Sequence, residues 1–352
     1  MRKILIRADD SAGWVVAGLR QIDRILLALD EALTEPAKVW IVCDKQAVPA
    51  DLCRTRKCSR LLLQTSELER PADLTLDTHL FFGRKSAALR TSLQNLPADL
   101  TASRPNEGGC EYLGDPSSIA ACEERFLRGS GKPQDGLVSR FFNRPISRVV
   151  SRPLLRTPIT PTAWTLGILI LPLVGSGFLT RGNYFGIVLG MFFFQLYSIF
   201  DGCDGEIARA KYLESARGGK IDTWCDILGS LLMAISLGFG LSRHPDSNSF
   251  FLEGLLVAGL IFANEVVLAT APPVPLTTPS KGTEALYERH RRLLPSTGLL
   301  ARRIAPWLIQ MTKRDVALLG FLLLALVGWP GWILHLLGLV AAGSLLLALR
   351  SR

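Results

Sequence analysis

Apolar runs of membrane length fill the second half of the chain, and they limit its possible folds more than any other feature. Beyond residue 160, long apolar stretches alternate with short polar segments, whereas residues 1–160 have the mixed composition of a soluble protein. A transmembrane helix needs about 20 mostly apolar residues. We therefore predict six membrane spans, near 162–180, 183–209, 217–242, 250–272, 314–329 and 332–350. The fifth is short, but six spans return both termini to one side.

Residues 1–134 have the pattern of a cytoplasmic α/β domain. KILIRA and KVWIVCD resemble buried strands, RLLLQT and HLFFGR are further candidates, and GLRQIDRILLALDEAL and KSAALRTSLQNL have helical periodicity. This alternation predicts a doubly wound, Rossmann-like domain with a parallel sheet. The turn after the first strand, RADDSAGW, contains two acids and lacks the glycine-rich loop that cradles phosphates. We expect a degenerate, non-catalytic domain.

Residues 135–160 link this domain to the first span and carry a regular row of positive charge. Pro145 and Pro153 predict that a helix here is broken or kinked. A basic row beside apolar residues is typical of a segment lying in the membrane interface, although a charged linker is an alternative. The row repeats every four residues and consists of Arg140, Arg144, Arg148, Arg152 and Arg156.

Positive residues are spread unevenly among the predicted loops. The loop 273–313 carries seven lysines and arginines, whereas the loops on the opposite side offer only Arg181 and Arg243. By the positive-inside rule, we expect the protein in the cytoplasmic (inner) membrane, with the N-terminal domain and the loop 273–313 facing the cytoplasm. The start, MRKILIRADD, does not resemble a secretory signal. The seven scattered cysteines form no C-x-x-C pair, so we expect reduced thiols.

Four aspartates lie at the inner ends of the second and third predicted spans, in FDGCDGEIARAKYLESARGGKIDTWCDILGS (200–230). A carboxylate at a bilayer centre costs roughly 2.5–3.5 kcal/mol, so these groups need a compensating partner. Asp201 and Asp204 share one helix face, as do Asp222 and Asp226, and a short turn lets the two pairs converge. Oxygen ligands of this charge suit Mg²⁺ or Mn²⁺, and we expect two ions.

Small residues and an arginine surround the aspartates in the sequence. Gly205, Ala208, Gly218 and Gly219 leave room for a ligand to approach the backbone, and Arg209 supplies a planar donor for phosphate. Metal ions, arginine and small residues together indicate a phosphoryl-transfer site, where two metals can hold the attacking and leaving oxygens.

The pattern D-x-x-D-G-x-x-A-R-x8-G-x-x-x-D-x-x-x-D resembles the signature of the CDP-alcohol phosphotransferases, and every fixed position is filled. The resemblance implies six membrane helices, a homodimer, a cytoplasm-facing cavity, and transfer from a CDP-linked donor to an acceptor hydroxyl with release of CMP. It implies that Asp201, Asp204 and Asp222 hold the metals. Asp226 would complete the metal shell and act as general base. The cytidine diphosphate would be received by Gly205, Ala208, Arg209 and Gly218.

The segment DGLVSRFFNRPISRVVSRPLLRTPITP resembles the lead-in to the first span in family members fused to a nucleotidyltransferase-like domain. Some of those members make inositol-phosphate compounds, including di-myo-inositol phosphate phosphate. Thr162 stands where many relatives have asparagine, which leaves a shorter side chain for any nucleotide contact. By analogy with the family, we expect a CDP-diacylglycerol donor, as in phospholipid biosynthesis, with an inositol-phosphate or glycerol-phosphate acceptor; a CDP-inositol donor is the alternative.

Two other functions fit parts of the pattern. Acids inside membrane spans often mark a cation pathway, but a pathway predicts acids spread through the membrane depth, whereas these cluster at one end beside Arg209. A membrane-anchored scaffold would make the soluble domain the working part, and that domain lacks a phosphate loop. We predict the six-span enzyme, with domains 1–134, 135–160 and 161–352 and with no nucleic-acid partner.

Overall fold

A computed structural model describes residues 1–43, 58–64, 71–84, 86–95, 98–100, 109–131, 135–243, 249–270 and 313–350. The chain divides into two compact units. The first consists of Met1–Ser130, Ser151–Ile159 and Glu206–Leu213, and the second of Gly131–Val150, Thr160–Gly205 and Glu214–Arg352.

The first unit is built on a five-stranded parallel sheet. Its strands are β1 Arg2–Ala8, β4 Ala37–Cys43, β5 Leu61–Gln64, β6 Leu74–Asp77 and β8 Ala98–Leu100. They lie in the order β5-β4-β1-β6-β8. Strand β1 is central, since Ile4 pairs with Val39 on one side and with Leu74 on the other. The strand order therefore reverses at β1, as in doubly wound sheets.

Smaller elements complete this unit. Two short antiparallel pairs lie outside the main sheet: β2 Val15–Val16 with β3 Leu19–Arg20, and β7 Leu80–Phe82 with β9 Cys110–Tyr112. The helices are α1 Gln21–Ala32, α2 Ala87–Gln94 and α3 Ile119–Gly129. Buried residues of β1, β4, β6, α1 and α2 form one apolar core.

The predicted parallel α/β domain is thus confirmed, and each segment proposed as a strand or helix contains one. HLFFGR forms β7, which pairs with β9 in an antiparallel ribbon and does not join the parallel sheet. Strand β6 was not predicted. Its sequence, LTLD, is too short for its alternation to stand out from the surrounding turn residues.

The segment 135–160 contains a π-helical turn, Ser139–Asn143, followed by α4, Arg144–Leu155. The helix is not broken at Pro145, because the residues on both sides of it are helical. A π-helical turn directly precedes this proline, and such turns are local distortions of an α-helix. Pro153 lies inside the last turn of the same helix.

The burial pattern of this segment is the opposite of that in a soluble protein: apolar side chains are exposed and polar ones are buried. Phe141 and Val149 are 74% and 72% exposed, whereas Asn143, Ser147 and Ser151 are buried. An exposed apolar side is what a helix lying in the membrane interface presents to the lipid. The interfacial location itself stays a prediction.

Arg144 departs from the predicted exposed basic row. Its side chain is buried, its Nε lies 3.0 Å from Asp135 Oδ2, and its Nη1 donates to the Gly202 carbonyl at 3.1 Å. A buried arginine needs such a partner, because an unpaired charge would be costly inside the protein. The four-residue period does not distinguish this buried arginine from exposed ones.

The second unit consists mainly of apolar helices. They are α5 Pro161–Ile168, α6 Ile170–Leu179, α7 Tyr184–Ala210, α8 Ala216–Leu241, α9 Ser249–Thr270, α10 Arg314–Val327 and α11 Gly331–Arg350. The first predicted span corresponds to α5 and α6 together. With these two taken as one, the helix bounds lie within two residues of the predicted spans, because both follow the length of the apolar runs.

Within the described part of the chain, four stretches are long and apolar enough to cross a membrane: Pro161–Leu179, Tyr184–Ala210, Ala216–Leu241 and Ser249–Thr270. They indicate an integral membrane protein. The predicted fifth and sixth spans correspond to α10, of 14 residues, and α11, which contains a shorter apolar stretch, and their crossing stays a prediction. The basic loop predicted at 273–313 lies, except for Lys313, outside the described residues.

Candidate functional site

Helices α7 and α8 carry the four aspartates. Asp201 and Asp204 lie near the end of α7, and Asp222 and Asp226 lie in the first half of α8. The turn between the helices ends at Ser215, whose hydroxyl caps α8 by accepting the Gly218 N–H at 3.0 Å. The predicted helical hairpin is therefore present.

Three of the four carboxylates meet at one point. Asp201, Asp204 and Asp222 each offer an oxygen, and these oxygens lie within 4.8 Å of one another. Carboxylate oxygens at this spacing suit a hard divalent cation, and like charges this close need one. The donor set of this chain therefore fits Mg²⁺ or Mn²⁺.

Neighbouring groups hold Asp204 in position. Thr165, on α5, donates its hydroxyl to Asp204 Oδ2 at 2.8 Å, and the backbone N–H of Gly205 donates to Asp204 Oδ1. Such contacts fix the orientation of a ligating carboxylate. Thr165 was not singled out from the sequence, because it lies 39 positions before Asp204 and only the fold brings the two together.

Asp226, the fourth aspartate, contacts an arginine and a tyrosine. It forms an ion pair with Arg314 on α10, and it accepts a hydrogen bond from the Tyr197 hydroxyl at 3.1 Å. The Arg314 guanidinium carbon also lies 5.1 Å from the centre of the Tyr197 ring. Tyr197 and Arg314 thus hold the carboxylate that the family resemblance predicts to be the general base.

Sequence reasoning missed Tyr197 and did not connect Arg314 with Asp226. Tyr197 lies four residues before Asp201, on the same helix face, and this spacing could have revealed it. Arg314 begins a different helix, far away in the sequence, so only the fold brings it to Asp226.

The four residues expected to receive the nucleotide lie on the same two helices. Gly205, Ala208 and Arg209 follow Asp204 on α7, and Gly218 lies in the first turn of α8. A Cβ on Gly218 would lie 3.7 Å from the Thr162 hydroxyl. Thr162, the predicted departure from the family, therefore lies beside one of these four positions.

A second group of possible ligands lies in the first unit: Asp9 follows β1, Asp77 is the last residue of β6, and His79 lies two residues later. His79 Nε2 lies 2.8 Å from Asp9 Oδ2, and its Nδ1 hydrogen-bonds to the Leu113 carbonyl. Both ring nitrogens of His79 are therefore hydrogen-bonded within the protein. These contacts give the group a role in stabilising the domain.

His79 makes the stability of this domain depend on pH. Burial alone would lower the pKa of His79, but the Leu113 carbonyl and the Asp9 carboxylate outweigh it and raise that pKa above its usual value. The stabilisation is therefore complete below about pH 6.5 and is lost as the pH rises through the higher folded-state pKa.

We expect hydrogen-exchange protection of β1 and β6, corrected for intrinsic rates, to fall as the pH rises above about 6.5 and through the raised pKa of His79. The His79→Gln variant should show a smaller fall, because glutamine does not titrate. An identical pH dependence in the two proteins would contradict this assignment.

Comparisons with known proteins identify a family and several named relatives. Three curated relatives bear the name "Bifunctional IPC transferase and DIPP synthase". The protein from Rubrobacter xylanophilus is 40% identical over 162 residues, which cover 45% of this chain and 36% of that relative. The protein from Archaeoglobus fulgidus is 41% identical over 100 residues, covering 28% of this chain and 19% of the relative. The protein from Thermococcus kodakarensis is 38% identical over 112 residues, covering 31% and 24%.

This chain thus matches about a third or less of the length of these relatives. The family comparison covers more of it, since the CDP-alcohol phosphatidyltransferase profile matches residues 159–342. This range contains all four aspartates and is more than half of the 352 residues. The chain belongs to the CDP-alcohol phosphatidyltransferase family.

Proposed function

We propose that this protein is a metal-dependent CDP-alcohol phosphotransferase. It transfers a substituted phosphate from a CDP-linked donor to an acceptor hydroxyl and releases CMP. The observation that carries the proposal is the meeting of Asp201, Asp204 and Asp222 within 4.8 Å, on two helices inside the region that matches the family.

The three clustered carboxylates would hold two Mg²⁺ or Mn²⁺ ions. When bound, these ions would neutralise charge on the donor diphosphate and so make its phosphorus easier to attack. Thr165 keeps Asp204 oriented toward the cluster. Two roles are predicted for Asp226, and the first, coordination of a metal ion, stays a prediction.

The cytidine diphosphate would be received by Gly205, Ala208, Arg209 and Gly218. Glycine and alanine leave the backbone accessible to the diphosphate, and the arginine guanidinium can donate two parallel hydrogen bonds to phosphate oxygens. Thr162, beside Gly218, offers a hydroxyl to the same ligand.

Asp226 would act as the general base. Its carboxylate takes the proton of the acceptor hydroxyl while that oxygen forms a bond to the β-phosphorus. The bond from this phosphorus to the bridging oxygen breaks, and CMP leaves with the electron pair. Tyr197 and Arg314 orient the base, because each contacts a different oxygen of Asp226.

The names of the relatives favour an inositol-type donor. The Rubrobacter protein, matched over 162 residues, is named for a DIPP synthase activity, and the resemblance links such fused members to di-myo-inositol phosphate phosphate. We therefore propose a CDP-inositol-type donor, with an inositol phosphate or another polyol phosphate as acceptor. CDP-diacylglycerol, the first expectation from the sequence, becomes the second candidate.

The setting of the enzyme is also proposed. The unequal charge of the loops supports a cytoplasm-facing site, with the 135–160 segment lying in the membrane interface. The family resemblance supports a homodimer. A cation pathway is less well supported, because the three clustered carboxylates form one compact group rather than a series through the membrane.

A donor panel tests the proposal. Purified full-length protein would be incubated with Mg²⁺ and CDP-inositol, CDP-diacylglycerol or CDP-glycerol, each with inositol phosphate or glycerol phosphate, and CMP would be measured. We expect CMP release with CDP-inositol and inositol phosphate. Absence of CMP from every pair, in protein that remains folded, would overturn the assignment.

Gly218 and Gly177 provide a matched pair of variants. We expect Gly218→Val to raise the donor KM by at least about tenfold, because the added side chain fills space beside Thr162 that the nucleotide needs. Gly177→Val is the control, since Gly177 lies on α6, is not among the residues expected to bind the donor, and a Cβ there meets nothing within 4 Å. Equal KM values in the two variants would remove Gly218 from the donor site.

A further inference from the structure

The last turn of the aspartate-bearing helix α7 belongs to the first unit. Glu206–Leu213 groups with Met1–Ser130, although Asp201 and Asp204 lie earlier on the same helix in the second unit. Two of the residues expected to bind the donor, Ala208 and Arg209, lie within this segment. Its contacts with the N-terminal domain therefore concern the proposed site.

Arg24 reaches the end of α7 from the domain interior. Its side chain is fully buried, and its Nη2 donates to the carbonyls of Val16 at 2.8 Å and of Ala210 at 3.0 Å. Ala210 is the last residue of α7, so the guanidinium lies at the negative end of the helix dipole. The Phe81 ring covers the same guanidinium at 4.6 Å.

Tyr212, two residues after the last residue of α7, also holds the end of this helix. Its φ is +54°, the left-handed conformation that usually follows a helix and is usually adopted by glycine. The Leu213 N–H donates to the Ala208 carbonyl at 2.9 Å, which completes this type of helix cap. A tyrosine here is strained, and its ring packs against the apolar core of the domain while its hydroxyl donates to the Phe82 carbonyl at 3.4 Å.

Lys211 and Gly18 bring two further parts of the first unit against this segment. Lys211 Nζ donates to the Thr157 carbonyl at 2.6 Å and lies 3.4 Å from the Ile159 carbonyl, just before the first span. A Cβ on Gly18 would lie only 2.7 Å from Lys211 Cε and 2.4 Å from the Leu155 carbonyl. A side chain at Gly18 is therefore excluded by these neighbours.

We propose that the N-terminal domain anchors the end of the aspartate-bearing helix, and that Arg24 and Tyr212 are positioning residues for Ala208 and Arg209. A domain without a phosphate loop thereby contributes to the reaction. The effect on turnover rests on the proposed function, whereas the anchoring does not.

Tyr212→Gly tests the anchor with little disturbance of the backbone. Glycine adopts the positive φ without strain, so the substitution removes the ring and leaves the helix cap. In the full-length protein, we expect hydrogen exchange in residues 206–213 to rise at least about tenfold. We expect kcat for CMP release to fall about 10- to 100-fold, because small displacements of binding groups have effects of this size.

Three variants separate positioning from general destabilisation. Tyr212→Phe keeps the ring and should remain close to wild type in both measurements. Arg24→Met should behave like Tyr212→Gly. Leu93→Ala opens a cavity in the core of the same domain, leaves Arg24 and Tyr212 in place, and should lower the unfolding temperature without changing kcat or exchange in 206–213.

Each outcome decides the inference. Wild-type exchange in 206–213 for both Tyr212→Gly and Arg24→Met would overturn the anchor. Raised exchange with unchanged kcat and KM would overturn the positioning role, as would an equal loss of kcat in Leu93→Ala. If wild-type protein released no CMP with any donor, the proposed function would fail, and the exchange measurements alone would still decide the anchoring.

Discussion

Asp226→Asn is expected to lower kcat for CMP release by about 10²–10⁴-fold, the usual contribution of a general base. An asparagine amide has nearly the same shape, so the Tyr197 hydrogen bond can persist, but it cannot accept the proton of the acceptor hydroxyl. Donor binding should change little, because the clustered carboxylates Asp201, Asp204 and Asp222 are intact. The experiment compares kcat with the donor Kd in wild type and variant.

Glu253→Gln is the matched control for this substitution. Glu253 is another acid of a membrane helix, but it pairs with His335 and lies outside the carboxylate cluster. We expect its kcat to stay near that of wild type. An Asp226→Asn enzyme with full turnover would rule out the general-base assignment.

The second large effect is expected from Asp201→Asn, through the metal requirement. An amide is neutral and a weaker metal ligand, so the variant should need at least about 100-fold more Mg²⁺ for half-maximal activity, beyond the usual effect of losing a supporting contact. Donor binding should weaken with it, because metal and diphosphate bind together. A Mg²⁺ titration of CMP release measures the shift, with Glu253→Gln again as control.

An unchanged Mg²⁺ midpoint in Asp201→Asn would count against Asp201 as a ligand. A loss of activity that no Mg²⁺ concentration restores, with wild-type donor and metal affinity, would likewise place its role elsewhere. The two aspartate variants should thus differ in kind. Asp226→Asn impairs turnover, and Asp201→Asn impairs metal and donor binding.

The membrane helices and the carboxylate cluster could be predicted because their signals are local. Run length fixes the bounds of α7 and α8. Spacings of three and four residues put Asp201 beside Asp204, and Asp222 beside Asp226, on one helix face. The meeting of Asp201, Asp204 and Asp222 follows once a short turn joins the two helices.

The contacts of Asp226 could not be predicted in the same way. Arg314 lies 88 positions after Asp226 in the sequence, and only the packing of α10 brings the two together. Tyr197 sits inside an apolar run, where an aromatic residue usually indicates core packing or lipid contact. The burial of Arg144 could not be predicted either. Arg144 follows the regular four-residue spacing of the arginine row, but its side chain is buried against Asp135 and Gly202.

The anchoring of 206–213 had no sequence signal either. Arg24 lies within an ordinary amphipathic pattern, and nothing near it in the sequence indicates that its partner is Ala210, 186 positions away. Tyr212 occupies a position where glycine is expected after a helix, but that irregularity becomes visible only when the end of α7 and the positive φ are known.

Manganese binding tests the central claim most directly: that carboxylates from two adjacent helices are stable together because divalent cations lie among them and bind a nucleotide diphosphate. Full-length protein would be titrated with Mn²⁺ in the presence of CDP, and free Mn²⁺ would be followed by electron paramagnetic resonance. We expect two ions bound per chain, and none in a variant with Asp201, Asp204 and Asp222 all replaced by asparagine. No uptake by the wild-type protein, or equal uptake by the triple variant, would contradict the account.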